Sequence, residues 1–521
     1  MKNKLYILLL FLVFFIPRII GLGSDIYGVD AGRWDIRSDN FVNAVLEKKY
    51  IETYEQYHPG VTVMWLTGFS KKYTVDLFEK KNGYIPKVAA GVYYPEQFRL
   101  ILVASKLPLI LTSSFLFSFA FYLLSKININ KKYLLIAASI TSLEPFFLGI
   151  TKYYHLSGLE SALAFALIIF ILYYKINKIR KFYILIAGIL LGLAFLTKIS
   201  AIILLPFIGL ELFILETINT NNIWNLKNLT KSFFISILEF LTIIVTSIVI
   251  FYALFPAMWV DPKMILQKII EEGGQDTAFG DVADYPFFTN KYLYYYEMFL
   301  TRSLGLTFIT FVTSLTLFAK TKSKNTKLLL ITAVLFIIYF CLIMSFPSKL
   351  KDRYLITAFP FFTLVSSFSI YYVLAHAKKL KLILITLVIS TYYLIILFAY
   401  FPTYSAFYSD LLGGISNYSK HNLIINRGEY YLTMINYLNE KDGKDAYKNY
   451  LRIYDPEKNR STPGYKGTVI TYDSASGKSG VKYRASSYDD LYKVPVSSCK
   501  LIKTFGPKGV FKFDYLYLFE C

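Results

Sequence analysis

Cysteine and histidine are scarce, three and four residues in a chain of 521, and charged residues make up only 17% of it. Beside 55% hydrophobic residues, so little charge excludes an ordinary soluble domain. No His-x-x-x-His pair and no paired cysteines supply the spacing of a zinc site. The Met1-Lys2-Asn3-Lys4 start fits either a signal peptide or a span, but no small-x-small cleavage site follows the first apolar run before Pro17-Arg18, so that run is not obviously a cleaved signal peptide. Clear repeats and long low-complexity tracts are also missing. Acidic residues are outnumbered 35 to 56, for a net charge of +21. That surplus is scattered over separate loops, which leaves a nucleic-acid partner without a basic surface to bind.

What the chain has instead is long apolar runs. Several exceed the roughly 18 to 20 residues that cross a bilayer core, and about eleven spans are expected. They lie near 5–21, 99–125, 133–150, 156–175, 182–197, 199–216, 233–256, 298–319, 327–346, 354–376 and 381–402. The pair at 182–216 fits either a tight helical hairpin or one long broken helix. Alternate loops are basic: Lys126 to Lys132, Lys175 to Lys181, Lys320 to Lys327, and Lys378 to Lys381. The positive-inside rule then places the N-terminus in the cytoplasm and turns the remaining loops outward. The expected fold class is an α-helical polytopic membrane protein with a small C-terminal extracytoplasmic α/β domain.

Residues 1–402 form the expected transmembrane domain, including outward loops at about 22–98 and 257–297, and residues 403–521 form the tail. In the tail, a helix is expected from Glu429 to Asn439 and strands at 467–472 and 510–515, with a loop at Ser474 to Gly480. Cys341 falls inside a span. Cys499 and Cys521 share the outward tail, where a disulfide is permitted and chance placement is an equal alternative.

The first outward loop, at about 75 residues, is too long for a passive connection. It carries Asp25, Asp30, Asp35 and Asp39, and then His58-Pro59-Gly60. A helix is expected behind Asp39 as N-cap, with Phe41, Val42, Val45 and Leu46 on one face, lying in the membrane interface. Asp30, interleaved with Arg33, Trp34 and Arg37, is the carboxylate best placed to act as a general base. Asp25, Asp35 and Asp39 read as solvated residues or a cap. Glu144-Pro145, Lys152 and His155 stand at the outward end of the third span, and Lys198 stands at another, where ionisable groups face a cavity by default. Lys349, Lys351, Asp352, Arg353 and Tyr354 form a basic cluster on the face where positive charge is disfavoured, which an anionic lipid phosphate explains. His58 and His155, with Asp30 or Glu144, could bind a divalent cation, although hydrogen-bonding roles are favoured; no other cofactor is implied.

In this order, these residues resemble the GT-C superfamily of polytopic glycosyltransferases, in particular protein O-mannosyltransferases and the aminoarabinose transferase of lipid A. The matching pieces are Asp30-Ala31, Trp34, Arg37 and Phe41, then His58-Pro59-Gly60, Glu144-Pro145-Phe146, and Thr151 to Ser157. Leu196-Thr197-Lys198, Pro256 with Trp259, Arg302, and Lys349 to Tyr354 follow. The resemblance covers about residues 1–440. It implies that Asp30 deprotonates an acceptor hydroxyl and that a hexose, mannose-like, arrives on a polyprenyl phosphate. Transfer would invert the anomeric centre, and the acceptor would be a protein, a lipid or a cell-envelope glycan. Lys349, Arg353 and Arg302 would hold the donor phosphate. Glu144, Lys152, His155, His58, Trp34, Arg37 and Tyr354 would line the sugar and acceptor side. Ala31 and Ser157 stand where that group has acids, and Lys152 replaces an arginine, keeping the charge but losing its bidentate fork. Two rival readings stay open: a transporter or flippase of lipid-linked sugars, and an envelope polysaccharide polymerase or ligase using diphosphate-linked donors.

Overall fold

The computed structural model describes residues 2–25, 28–82, 95–219, 225–278, 290–346, 350–420, 427–442, 483–487 and 500–520. The first helices in chain order are α1 (Lys2–Ile19), α2 (Val29–Leu46), α3 (Val61–Asn82), α4 (Pro95–Lys126), α5 (Lys131–Leu143), α6 (Pro145–Lys152) and α7 (Leu156–Ile176). Next come α8 (Ile184–Thr197), α9 (Leu204–Ile218), α10 (Leu226–Leu254), α11 (Pro256–Val260), α12 (Pro262–Ala278) and α13 (Tyr294–Arg302). The series closes with α14 (Gly305–Leu317), α15 (Lys324–Met344), α16 (Phe359–His376), α17 (Lys379–Tyr400), α18 (Gly414–Lys420) and α19 (Tyr431–Asp442).

Among the described residues, seven helices are long and apolar enough to cross a membrane, or nine if each of two bent pairs is one span. All eleven expected segments contain helix, but they are not all simple spans. α5 and α6 meet at 66° at Glu144, where Pro145 cannot continue the hydrogen-bond ladder of α5. The helical stretch through α13 meets that through α14 at 120°, because Ser303 is extended. The stretch 181–197 is apolar but short, and α1 carries Lys2, Lys4 and Arg18 within 18 residues. The open question at 182–216 resolves as a reversal at the extended residue Lys198. Thr197 meets Thr62 of the first loop at 2.6 Å, while Glu216 returns to Lys175 at the far end of α7 (2.8 Å). α7 is the buried axis of the bundle. α10 and α17 instead expose rows such as Phe234, Leu238, Val245, Leu387, Val388 and Phe398, which suit lipid tails. The chain is a multi-pass membrane protein.

Two glycines set close approaches within this bundle. A Cβ on Gly188 would lie 2.4 Å from Thr246 Cβ, so α8 packs directly on α10. At Gly149 a Cβ would lie 2.2 Å from the Ser405 backbone nitrogen, because the chain leaving α17 is pressed onto α6. Gly149→Ala is therefore expected to lower stability by about 1–3 kcal/mol through overpacking. A reduced melting temperature of the purified variant in detergent is the check.

The first loop is more structured than its sequence suggests. Its helix α2 begins at Val29, ten residues before the expected cap, so Asp30 lies in the first turn. Asp39 is mid-helix and, with Asp35, pairs with the buried Lys71 of α3 at 2.7 and 2.9 Å. Asp25 is buried too, on Lys106 at 2.9 Å. None of these acids is a cap: Asp25 is buried, Asp35 is mostly covered and Asp39 stays 44% exposed, and each meets a lysine from a helix that the sequence alone did not place beside it. α2 also packs on α3 through Phe41 and Val42, both buried in protein.

In the tail, α19 matches the expected helix. Three antiparallel strands follow, β1 (Tyr483–Ser487), β2 (Lys500–Phe505) and β3 (Leu516–Glu520), in the order β1-β3-β2. The stretch expected as a strand at 510–515 is instead a turn leading into β3. The expected strand at 467–472, the loop at 474–480, Cys499 and Cys521 lie outside the described residues.

Candidate active site

Asp30 and Arg353, 323 residues apart, form an ion pair in which Arg353 Nη1 donates to Asp30 Oδ2. Arg33, one helical turn on, adds a longer contact at 3.7 Å. Asp30 enters from the N-terminal turn of α2, where the helix dipole favours a negative charge. Arg353 comes from the short 3-10 turn Asp352–Thr357 that leads into α16. Both side chains keep partial exposure, 26% and 18%. Burial pushes the Asp30 carboxyl up, but Arg353, with a smaller contribution from Arg33, holds it well below the usual carboxylate range. The guanidinium of Arg353 is correspondingly held more firmly charged than usual, mainly by Asp30 against the opposing effect of burial.

His155 caps α7, and its Nδ1 accepts the Ser157 N–H at 3.2 Å. That bond places the ring proton on Nε2. Burial, reinforced by Arg353, keeps the imidazole well below its ordinary pKa, so it is a neutral donor beside the Asp30–Arg353 pair. The Ser157 hydroxyl, standing where the resemblance has an acid, also lies 3.1 Å from the same Nδ1. The ring of Tyr153 stacks on His155 with centroids 5.7 Å apart, and its hydroxyl accepts the Ala31 N–H at 3.3 Å. Tyr153 ties the histidine to the turn that carries Asp30. Sequence reasoning missed it because an aromatic at a membrane boundary has a ready explanation as interfacial belt.

Tyr354 lies beside this pair, between Arg353 (5.8 Å) and the Lys198 ammonium (4.3 Å). Lys198 is buried and pairs with Glu160 of α7 at 3.0 Å, while Ser200 donates to the other oxygen of Glu160. Glu160 is an ionisable residue inside an apolar run, and that signal was available in the sequence.

Other expected site residues are engaged elsewhere. Arg302 is fully buried: it pairs with Asp352 at 2.6 Å, donates to the Phe407 carbonyl at 2.9 Å, and donates to the Tyr408 hydroxyl at 2.7 Å. Asp352 also takes Arg427, which pairs in turn with Glu429. A Cβ on Gly28 would lie 1.8 Å from the Arg427 carbonyl oxygen, so the start of α2 rests on this charged cluster. Glu144 holds the N-terminus of α14, accepting from Leu304 N at 3.2 Å and from the Thr307 hydroxyl. Asp410 shares that work at Gly305 N, 2.8 Å away. Lys152 donates to the Ile20 carbonyl at the end of α1, at 2.6 Å. Trp34 is buried against Gly60, whose added Cβ would lie 2.2 Å from the indole, and Arg37 stacks on it at 4.6 Å. His58 packs its ring against Tyr57 at 4.1 Å. Lys349 lies outside the described residues.

A divalent cation on His58, His155, Asp30 and Glu144 does not fit this arrangement. His155 Nδ1 is turned to Ser157, Asp30 is taken by Arg353, and Glu144 is committed to α14. Among the described residues no three His, Cys, Asp or Glu side chains are placed to hold a metal ion.

No family model and no curated protein sequence matches the chain. Among solved structures, it is similar to ArnT from Cupriavidus metallidurans bound to undecaprenyl phosphate, at 13% identity and a TM-score of 0.44. That likeness covers 72% of this chain and 60% of the other. It is also similar to the oligosaccharyltransferase of Archaeoglobus fulgidus in the apo form, at 14% identity and a TM-score of 0.44, covering 89% of this chain and 61% of that one. This chain thus spans about three fifths of the length of each.

Proposed function

We propose that this protein is an inverting membrane glycosyltransferase that moves a hexose, mannose-like, from a polyprenyl-phosphate donor to an acceptor hydroxyl on the outer face of the membrane. The observation that carries this reading is the Asp30–Arg353 pair. It joins a carboxylate of the first loop to a guanidinium at the entry of a late span, at one end of the helical bundle. A phosphate leaving group needs a cation, and a hydroxyl nucleophile needs a base. ArnT bound to undecaprenyl phosphate supports a polyprenyl phosphate as the ligand class.

A carboxylate held by an arginine is a weak base. When the donor phosphate takes Arg353, Asp30 loses its main counter-charge and regains basicity. The acceptor hydroxyl then gives its proton to Asp30 while its oxygen bonds to the anomeric carbon. The bond from that carbon to the phosphate oxygen breaks, and its electron pair leaves on polyprenyl phosphate, stabilised by Arg353. His155 Nε2–H supplies a neutral donor at the same place. Lys198, under Tyr354, adds positive potential with Glu160 as its resting partner.

The test is incubation of the purified protein with radiolabelled polyprenyl-phosphate hexoses and candidate protein, lipid or glycan acceptors, beside Arg353→Gln. Acceptor-dependent release of polyprenyl phosphate is expected, with a sharply raised donor KM in the variant. No release with any donor and acceptor would sink the reading. Tyr153→Phe removes one hydrogen bond worth about 1 kcal/mol, so turnover should fall roughly five- to tenfold with donor KM unchanged. A variant of wild-type turnover would remove Tyr153 from the positioning of Asp30.

One observation favours a second reading as transporter. Two spans are broken, at Glu144 and at Ser303, and broken helices mark substrate paths in transporters. Here the freed helix end of α14 is already occupied by Glu144 and Asp410. Counterflow of labelled donor across proteoliposomes without chemical release would favour that alternative.

A further inference from the structure

The tail segment 500–513 carries Lys500, Lys503, Lys508 and Lys512 and no acidic residue. Lys503 is engaged on the Tyr437 ring at 3.7 Å. Lys508 and Lys512 flank a tight turn, Gly509–Phe511, in which Gly509 has a φ of 64°. The turn is fastened to the end of a spanning helix. Lys508 N donates to the Ala399 carbonyl of α17 at 2.9 Å, and the Phe511 ring packs 5.9 Å from Tyr400. Phe511 is thereby turned into the protein, and Val510 is left 85% exposed at the tip.

The level of this tip is fixed by its anchor. Phe398 precedes Ala399 and is 73% exposed, continuing the apolar row that Leu394 and Ile395 present on α17. An apolar tip between two ammonium groups, continuous with a lipid-facing row, suits the boundary where acyl chains meet phosphates. A soluble protein partner would have no reason to be matched to the last turn of a spanning helix.

We propose that the Pro507–Lys512 turn is a lipid-contact tip, with Val510 dipping into the membrane boundary and Lys508 and Lys512 resting on anionic phospholipid phosphates. The contact holds the tail, including the Arg427–Glu429 segment, against the membrane domain. It stands independently of the proposed reaction.

The test uses the full chain with its three cysteines replaced and a nitroxide on Val510→Cys, with Phe398→Cys as the lipid reference. Each protein is placed in nanodiscs of phosphatidylcholine with or without phosphatidylglycerol, and collisions with oxygen and with a nickel chelate are measured. Nickel collisions at 510 are expected to fall several-fold below those of free label, and to fall further with phosphatidylglycerol. The lipid-dependent shift should vanish in K508E/K512E, while the Phe398 label is unchanged in all samples. Free nickel access at 510 in both lipids would overturn the proposal. A shift that persists in K508E/K512E would overturn it as well, because the lysines would then not be the contact.

Discussion

Asp30→Asn is expected to cut sugar transfer by about 10²–10⁴-fold, the usual contribution of a positioned general base. The variant is nearly isosteric, and the N-cap of α2 is Gly28 and not Asp30, so the helix should remain formed. Donor affinity should move the other way. Arg353 holds Asp30 at rest and, in the proposed reaction, passes to the donor phosphate, so removing the carboxylate should free it for the donor. Turnover should therefore collapse while donor KM falls. Single-turnover kinetics with labelled donor, set against equilibrium donor binding, separates the two effects. A variant that turns over normally would remove Asp30 from the chemistry. One that loses donor affinity together with turnover would retain the base but sink the competition for Arg353. The effects of Asp30→Asn and Arg353→Gln should be strongly non-additive in donor binding, as expected for residues in direct contact.

Asp352→Asn is expected to destabilise the protein by about 3–5 kcal/mol. Asp352 is fully buried between Arg302 and Arg427; when it is neutralised Arg302 loses this counter-charge and Arg427 keeps only the longer contact to Glu429, at 3.6 Å. Thermal unfolding in detergent is the measurement; an unchanged melting temperature would mean that water or other groups replace the carboxylate. The pH dependence has a defined sign. Burial raises the Asp352 carboxyl, but Arg427 and Arg302 overcome this and hold it down at about 2. A carboxyl depressed below its unfolded value of about 3.9 contributes its full stability above that value. The contribution is lost as pH falls from there through about 2. Wild-type stability should thus be flat in this respect from neutral to pH 5. Because Arg427 reaches Glu429, the same substitution should also loosen the tail, visible as faster proteolysis after residue 402.

Part of the candidate site was legible because membrane physics makes charge conspicuous. In a chain with 17% charged residues, carboxylates and lysines beside apolar runs stand out, and Asp30, His155, Arg353 and Tyr354 do lie together. Their chain order also carried the resemblance. Other residues of the same types, equally conspicuous, turn out to be tied up in the scaffold. Glu144 looked like a site acid and holds a helix N-terminus, while Arg302 looked like a phosphate cation and is locked on Asp352. Charge type and position along a span cannot separate these cases, because the partner comes from a helix far away in sequence.

The sequence by itself determined the multi-pass helical architecture, since a bilayer permits only internally bonded backbone and apolar runs of sufficient length are unambiguous. It also determined that the first loop must carry structure, and that a helix lies near 429–439 of the tail, where α19 is found. Only the tertiary structure decided where the spans break, which acids of the first loop pair with lysines, and that Asp30 faces Arg353. Those outcomes depend on long-range pairing. A carboxylate in a dry bundle takes whichever cation the packing brings within about 3 Å, and no local pattern encodes that choice.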